Sequence, residues 1–148
     1  AYERLIGSYP NHPLAADTYL ALADTYRGMI AGAPYDQGAT QQAIRYYEDF
    51  IAQYPEDARV PEAQGKLQRM REILAEGKYN LAIFYFEKRK NSLAATNLLK
   101  EVIQTAPESP IAQKAQRMLE KVSQGGTADA EVKKEKSFLD NLLFWKKS

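Results

Sequence analysis

The sequence contains no cysteine and only one histidine, His12, among its 148 residues. Thiolate nucleophiles, disulfides and cysteine-based zinc sites are therefore excluded, and so is any pair of catalytic histidines. His12 lies in the sequence Asn11-His12-Pro13 with no second ligand at metal-binding spacing, so we interpret it as structural. No base and nucleophile can be assembled from the other residues, which disfavours the alternative of an enzyme with a carboxylate in a groove. We predict no catalytic residue, no cofactor and no metal.

An excess of charge of one sign is also lacking, since 20 Lys and Arg residues face 19 Asp and Glu residues and the formal net charge is +1. No net field attracts nucleic acid, and we predict no nucleic-acid partner. No stretch approaches the roughly 20 apolar residues that span a bilayer, and residues 1–6 do not form a signal peptide. Residues 1–8 are typical of a helix without a capping residue before it, so we expect the chain to be a fragment.

Three segments of the chain share one pattern when they are aligned on a proline. A bulky residue lies eight positions before the proline, an apolar pair lies five and four before it, and a leucine follows twelve after it. The residues are Tyr2, Leu5, Ile6 and Leu22 around Pro10, Tyr47, Phe50, Ile51 and Leu67 around Pro55, and Leu99, Val102, Ile103 and Leu119 around Pro107. Each unit is predicted to be a helical hairpin that stacks on its neighbour.

The spacing resembles the tetratricopeptide repeat, whose front helix carries an aromatic residue, a leucine, a small residue and a tyrosine, and whose back helix carries an alanine, an aromatic residue and a final proline. The matching residues are Tyr19, Leu22, Ala23 and Tyr26 with Ala43, Tyr47, Phe50 and Pro55 in one unit, and Tyr79, Ala82, Ile83 and Phe86 with Ala95, Leu99, Val102 and Pro107 in the next. The first unit keeps only the end of its back helix. The resemblance implies an all-α solenoid of tetratricopeptide-type helical hairpins with a C-terminal tail.

Two insertions lengthen the repeat, because the prolines lie 45 and 52 residues apart instead of about 34. The first covers residues 28–39, where three glycines and a proline predict a long loop. The second predicts a single front helix from Val60 to about Arg89. Its apolar residues recur at intervals of three, four and seven positions and form a stripe along one side of the helix: Leu67, Met70, Leu74, Gly77, Leu81 and Phe84. Gly77 is expected to mark either close helix packing or a kink.

The segment Leu74–Arg89 resembles the long helix of the BamD family, the lipoproteins of the β-barrel assembly machinery, in which Leu-Ala is followed by Val-Ala, Phe-Tyr and Lys-Arg. The loop Pro34-Tyr35-Asp36-Gln37 is similar to that family's interrupted repeat. The sequence departs from the family pattern with Lys78 in place of glutamate, Leu81 in place of valine and Lys90 in place of a glycine that turns the chain. The resemblance covers residues 1 to about 122 and corresponds to the C-terminal part of a five-repeat protein.

The resemblance implies a non-enzymatic scaffold at the periplasmic face of the bacterial outer membrane. Its implied partners are proteins: the periplasmic domains of BamA, other assembly subunits, and unfolded outer-membrane proteins. Membrane association is implied to occur through a lipid anchor outside this chain. The alternative is a tetratricopeptide adaptor of another cell-envelope system, of the type associated with Tol-Pal, which lacks the long-helix pattern.

Two groups of charged residues are candidates for binding partners. Asp17, Asp24 and Arg27 lie off the packing face of their front helix, where a solenoid presents its concave groove. The run Lys88-Arg89-Lys90 closes the long helix, where positive charge stabilises the helix C-terminus and where the resemblance also places a basic pair.

The C-terminal part of the chain differs from the repeats. We predict repeats over residues 1–123, a linker over 124–136 that begins with a helix end at Gly125 and Gly126, and a short amphipathic tail over 137–148. Three tail residues are candidates for binding: Phe138, Leu142 and Trp145. The tail has three possible positions, as a cap folded back on the last repeat, as a helix docked on a partner, or on a membrane surface, and we expect Trp145 to be buried against this chain or its partner.

Overall fold

The computed structural model describes residues 2–8, 14–30 and 37–146, and the side chains in these ranges other than those of residues 2, 5, 126–138 and 144–146. The described residues form six helices and no strand: α1 (Tyr2–Ser8), α2 (Ala15–Ile30), α3 (Gln37–Gln53), α4 (Val60–Glu87), α5 (Ser92–Thr105) and α6 (Pro110–Lys146). Each helix packs against the next in the chain, and α4 also contacts α6. The predicted all-α stack of tetratricopeptide-type hairpins is confirmed.

The described residues form two cores, and both include residues that the repeat pattern selects. One core lies between α2, α3 and the first half of α4, and it includes Tyr47 and Phe50, whose side chains are fully buried. The other lies between the second half of α4, α5 and α6, and it includes the fully buried Leu99. Ala43 and Ala95 have no exposed surface, which is the expected environment for the small residues of the repeat.

The long front helix is confirmed, because α4 has 28 residues and is about 42 Å long. Pro61 occupies its first turn, where a missing backbone N–H breaks no hydrogen bond. A Cβ atom at Gly77 would lie 3.4 Å from Nε2 of Gln37, an ordinary contact with the end of a side chain on α3, so close packing or a kink at this glycine stays a prediction. The apolar stripe is buried only at Leu67, Met70 and Leu74, since its last two side chains are exposed.

The connection between α4 and α5 is a tight turn. The backbone N–H of Lys88 donates to the carbonyl oxygen of Phe84 at 2.9 Å, and the backbone N–H of Asn91 donates to the carbonyl oxygen of Tyr85 at 3.0 Å. Between them Lys90 has a φ of 52°, the one positive φ of a non-glycine residue in the described ranges. The family pattern has glycine at this position, and the left-handed backbone is the physical reason for it. The Asn91 side chain then accepts a hydrogen bond from the N–H of Ala94 and caps α5.

Two predicted interruptions of helices are wrong. Helix α2 continues through Gly28 to Ile30 and α3 begins before Gly38, so the predicted loop over residues 28–39 is too long; residues 31–36 lie outside the described ranges. Helix α6 has 37 residues and continues through Gly125 and Gly126, so the predicted helix end and non-helical linker are absent. A glycine costs a helix only about 1 kcal/mol, which neighbouring helix-forming residues and packing outweigh.

The start and the middle of α6 show how its position is fixed. The buried hydroxyl of Ser109 accepts a hydrogen bond from the N–H of Ala112 at 3.2 Å, and Pro110 is the first helical residue. A Cβ atom at Gly125 would lie 3.7 Å from the ring of Phe86, an ordinary contact, so this glycine lies against α4. Because α6 runs on without a reversal, its C-terminal segment does not fold back on the last repeat as a separate cap.

Candidate protein-binding surface

The front helices α2 and α4 border a groove of about 350 Å³ that is lined mainly by charged side chains. Asp17 and Asp24 of α2 lie on one side, and Arg59 and Lys66 lie on the other. The structure therefore places two of the predicted residues in a groove between front helices, as expected for the concave face of a solenoid.

Asp24 connects three helices. Its carboxylate accepts hydrogen bonds from the hydroxyl of Tyr47 on α3 and from Nζ of Lys66 on α4, the latter at 3.2 Å. Nε of Arg27 lies 3.5 Å from the same carboxylate. Partial burial opposes ionisation of Asp24, but the hydrogen bonds from Tyr47 and Lys66 outweigh it and lower the pKa of the carboxyl group. Burial and the bond to Asp24 raise the pKa of Tyr47. Asp24 is therefore an ionised structural link.

Asp17 is held by Arg59, a residue that no sequence motif indicated. The guanidinium group of Arg59 donates to Asp17 on α2 and to both carboxylate oxygens of Asp57, at 3.0 and 2.9 Å, and it lies 5.7 Å from the ring centroid of Phe50. The hydrogen bonds from Arg59 lower the pKa of Asp57 to about 2. Asp17, like Asp24, is engaged within the chain, so neither carboxylate is free for a partner unless an existing ion pair breaks.

The basic run at the end of α4 is exposed in all three residues, Lys88, Arg89 and Lys90. The guanidinium group of Arg89 lies 5.8 Å from the ring centroid of Phe84, within cation–π distance. Phe84 and Leu81, which belong to the apolar stripe predicted for α4, are 45% and 41% exposed. We call Leu81, Phe84, Lys88, Arg89 and Lys90 the α4 tip. It joins an exposed apolar surface to three cations.

The C-terminal segment is the last part of α6. Residues 138–145 are helical as predicted, although they continue a long helix and are not a separate short one. Leu142 is 42% exposed, and Leu139 and Leu143 are also exposed. The side chains of Phe138 and Trp145 lie outside the described residues, so the burial of Trp145 stays a prediction. The three predicted groups lie on α2, at the α4–α5 turn and at the end of α6, and they do not form one site.

No described group of three or more His, Cys, Asp or Glu side chains is arranged to hold a metal ion. Among the helices in the described ranges, none combines the length and the apolar character that a membrane crossing requires.

Stacked helical hairpins with a polar groove between their front helices define a helical repeat protein of the solenoid class. The chain belongs to the YfiO family of outer membrane lipoproteins, which it matches over residues 1–137. It is also similar to the outer membrane protein assembly factor BamD of Caulobacter vibrioides, with 30% identity over 111 residues, or 73% of this chain and 36% of that protein. The chain thus spans about a third of the length of this curated relative.

These similarities confirm the resemblance to the BamD family that the long helix indicated. Membership of an outer membrane lipoprotein family assigns the chain to the periplasmic face of the outer membrane.

Proposed function

We propose that this chain is a non-enzymatic scaffold in the assembly of outer-membrane β-barrel proteins, and that it docks the periplasmic domains of BamA and other subunits of the machinery. Family membership and the similarity to an assembly factor support the process. The α4 tip is the observation that supports docking. Unfolded outer-membrane proteins are a further proposed partner.

The α4 tip has the composition of a protein interface. Leu81, Phe84 and Lys88 lie three and four residues apart on one face of α4, so an apolar surface continues directly into the cations. Exposed aromatic and arginine side chains dominate the binding energy of many protein interfaces. A partner that covers Phe84 would remove its ring from water and would bring acidic groups close to Arg89, which already lies over that ring.

An adaptor of another cell-envelope system, of the Tol-Pal-associated type, is the alternative within the same class of binding proteins. The 28 residues of α4 and the family match over residues 1–137 favour the assembly machinery. Both functions use protein surfaces, so only partner identity separates them.

Isothermal titration calorimetry with the BamA periplasmic domains from the same genome tests the proposal. Phe84→Ala should weaken binding at least about tenfold, the loss typical of a central interface residue. Met29→Ala is the matched control, because Met29 is 53% exposed on α2 and lies outside the α4 tip. Replacement of all three cations at positions 88–90 by alanine tests how much their charge contributes to the affinity for BamA.

The absence of detectable binding between two folded partners would overturn BamA docking and favour the adaptor. Equal losses for Phe84→Ala and Met29→Ala would show that BamA binds elsewhere on the chain.

A further inference from the structure

Helix α6 carries a row of three exposed cations, Lys114, Arg117 and Lys121. Their spacing of three and four residues places them on one side of the helix. Within the described residues, none of the three has a carboxylate at ion-pair distance, whereas the cations that line the α2–α4 groove are paired. We call these three residues the α6 row. It is positive charge without compensation in the described part of the chain.

The α6 row borders a groove between α4 and α6. One part of the groove has a volume of about 380 Å³ and the adjoining part about 290 Å³. Tyr79 of α4 and Lys114 line both parts, so the two parts adjoin at these side chains. Tyr79 and Met118 are half-buried and give the groove an apolar surface beside the cations.

Two carboxylates are also present in the groove, and they share a single cation. Glu72 and Glu76 of α4 line its first part, and Nη1 of Arg69 lies 3.3 and 3.5 Å from their oxygens. The lining of the two parts contains four cations, Arg69 and the α6 row, against these two carboxylates. The groove therefore has an excess of positive charge on its α6 side.

We propose that the α4–α6 groove binds an extended acidic segment of a partner protein. Arg117 and Lys121 are about 6 Å apart along the helix axis, and alternate side chains of an extended chain are about 6.6 Å apart, so carboxylates at alternate positions match this pair of cations. Lys114 is about 4.5 Å from Arg117 along the axis and adds a third positive charge beside the same segment. Tyr79 and Met118 can contact the apolar parts of such a segment. A flat bilayer surface does not fit a recess between two helices, so the geometry favours a peptide over a lipid headgroup.

This binding surface is separate from the α4 tip, and it adds a partner chemistry that the docking of BamA does not require. The test is fluorescence anisotropy with the full chain and two labelled peptides of about ten residues, long enough to span the row. One peptide has glutamate at alternate positions, and its matched control has glutamine there. The glutamate peptide should bind saturably, at least about tenfold more tightly than the glutamine peptide, and its binding should weaken as salt is added.

A variant with Lys114→Gln, Arg117→Gln and Lys121→Gln should lose at least about tenfold in affinity for the glutamate peptide. The control variant has three exposed cations on other helices replaced by glutamine, which removes the same charge; they are Arg4, Arg45 and Lys100. Its affinity should stay within about twofold of the unmodified chain. Circular dichroism verifies that both variants keep their helices, and the single Arg117→Gln variant, with a several-fold loss expected, gives a second and milder test.

Three results would overturn the proposal. The first is that the folded chain does not bind the glutamate peptide. The second is that both triple variants bind this peptide equally. The third is that anionic phosphatidylglycerol vesicles bind the α6 row more tightly than the peptide does, which would assign the row to lipid. The calorimetric test of BamA docking uses Phe84→Ala, a different residue on a different surface, so the two proposals fail separately.

Discussion

The hydroxyl of Tyr47 on α3 donates a hydrogen bond to the carboxylate of Asp24 on α2, within the pair of helices that form one repeat. Tyr47 has no exposed surface, whereas Asp24 lies at the edge of the α2–α4 groove. The bond therefore connects the core to the surface that a partner would meet.

Removal of this bond should lower stability. Tyr47→Phe keeps the ring but leaves Asp24 without its buried donor, so we expect a loss of about 1 to 2 kcal/mol in the free energy of unfolding. Denaturant titration measures it, with Tyr85→Phe as control, because no hydrogen bond of the Tyr85 hydroxyl occurs among the described residues. An unchanged midpoint for Tyr47→Phe would contradict the role of the bond.

Acid should destabilise the protein through the same carboxylate. The pKa of Asp24 is lower in the folded chain than its ordinary value of 3.8, so the unfolded state binds more protons as the pH falls. The stabilisation is complete above that value and is lost as the pH falls through the folded pKa. Asp24→Asn should therefore flatten the decline in stability below about pH 4. Glu87→Gln is the matched control, because it removes the charge of one exposed carboxylate. Equal dependence of stability on pH in the Asp24→Asn and Glu87→Gln variants would refute the assignment to Asp24.

The left-handed residue in the α4–α5 turn predicts a stabilising substitution. Lys90→Gly should raise the free energy of unfolding by up to about 1 kcal/mol, because glycine adopts a positive φ without strain. Lys88→Gly is the matched control, since Lys88 has a φ of −95° and gains nothing from glycine. The midpoint temperature of unfolding should rise for Lys90→Gly and should not rise for Lys88→Gly. A loss of stability for Lys90→Gly would show that the turn does not store this strain.

The buried alanines of the repeat should not accept larger side chains. Ala43→Leu or Ala95→Leu inserts three additional carbons where the helices touch, and we expect each to cost about 1 to 3 kcal/mol. Ala52 is exposed on α3, so Ala52→Leu serves as the control. If both core variants melted like Ala52→Leu, the repeat register would be wrong.

Most of the fold was predictable because the buried side chains are apolar and recur at regular intervals in the sequence. Tyr47, Phe50 and Leu99 repeat at fixed distances from prolines, and all three are fully buried. The extent of α6 was not predictable from local signals, because the cost of Gly125 is small beside the stability of a long helix that packs against Phe86.

The candidate site was less predictable than the fold. The sequence indicated Asp17 and Asp24 as groove residues, but it did not show that Arg59 and Lys66 neutralise them, since these pairs join residues 42 positions apart. For the α6 row, the positions of the cations were predictable but their lack of ion pairs was not. Its spacing is visible in the sequence, but its lack of carboxylate partners among the described residues emerges only when the neighbouring helices are in place.

Helix α4 contributes side chains to both cores, and this has a mechanical consequence. Val60 and Met70 lie in the first core, Ala75 and Ala82 lie in the second, and the helix runs through both without interruption. Neither core can release its part of α4 while the other holds the helix rigid, so the two are expected to unfold in one cooperative step. For the same reason a load applied by a partner at the α4 tip is transmitted to the first core through continuous helix, because Phe84 and Met70 are 14 residues, or about 21 Å, apart on α4.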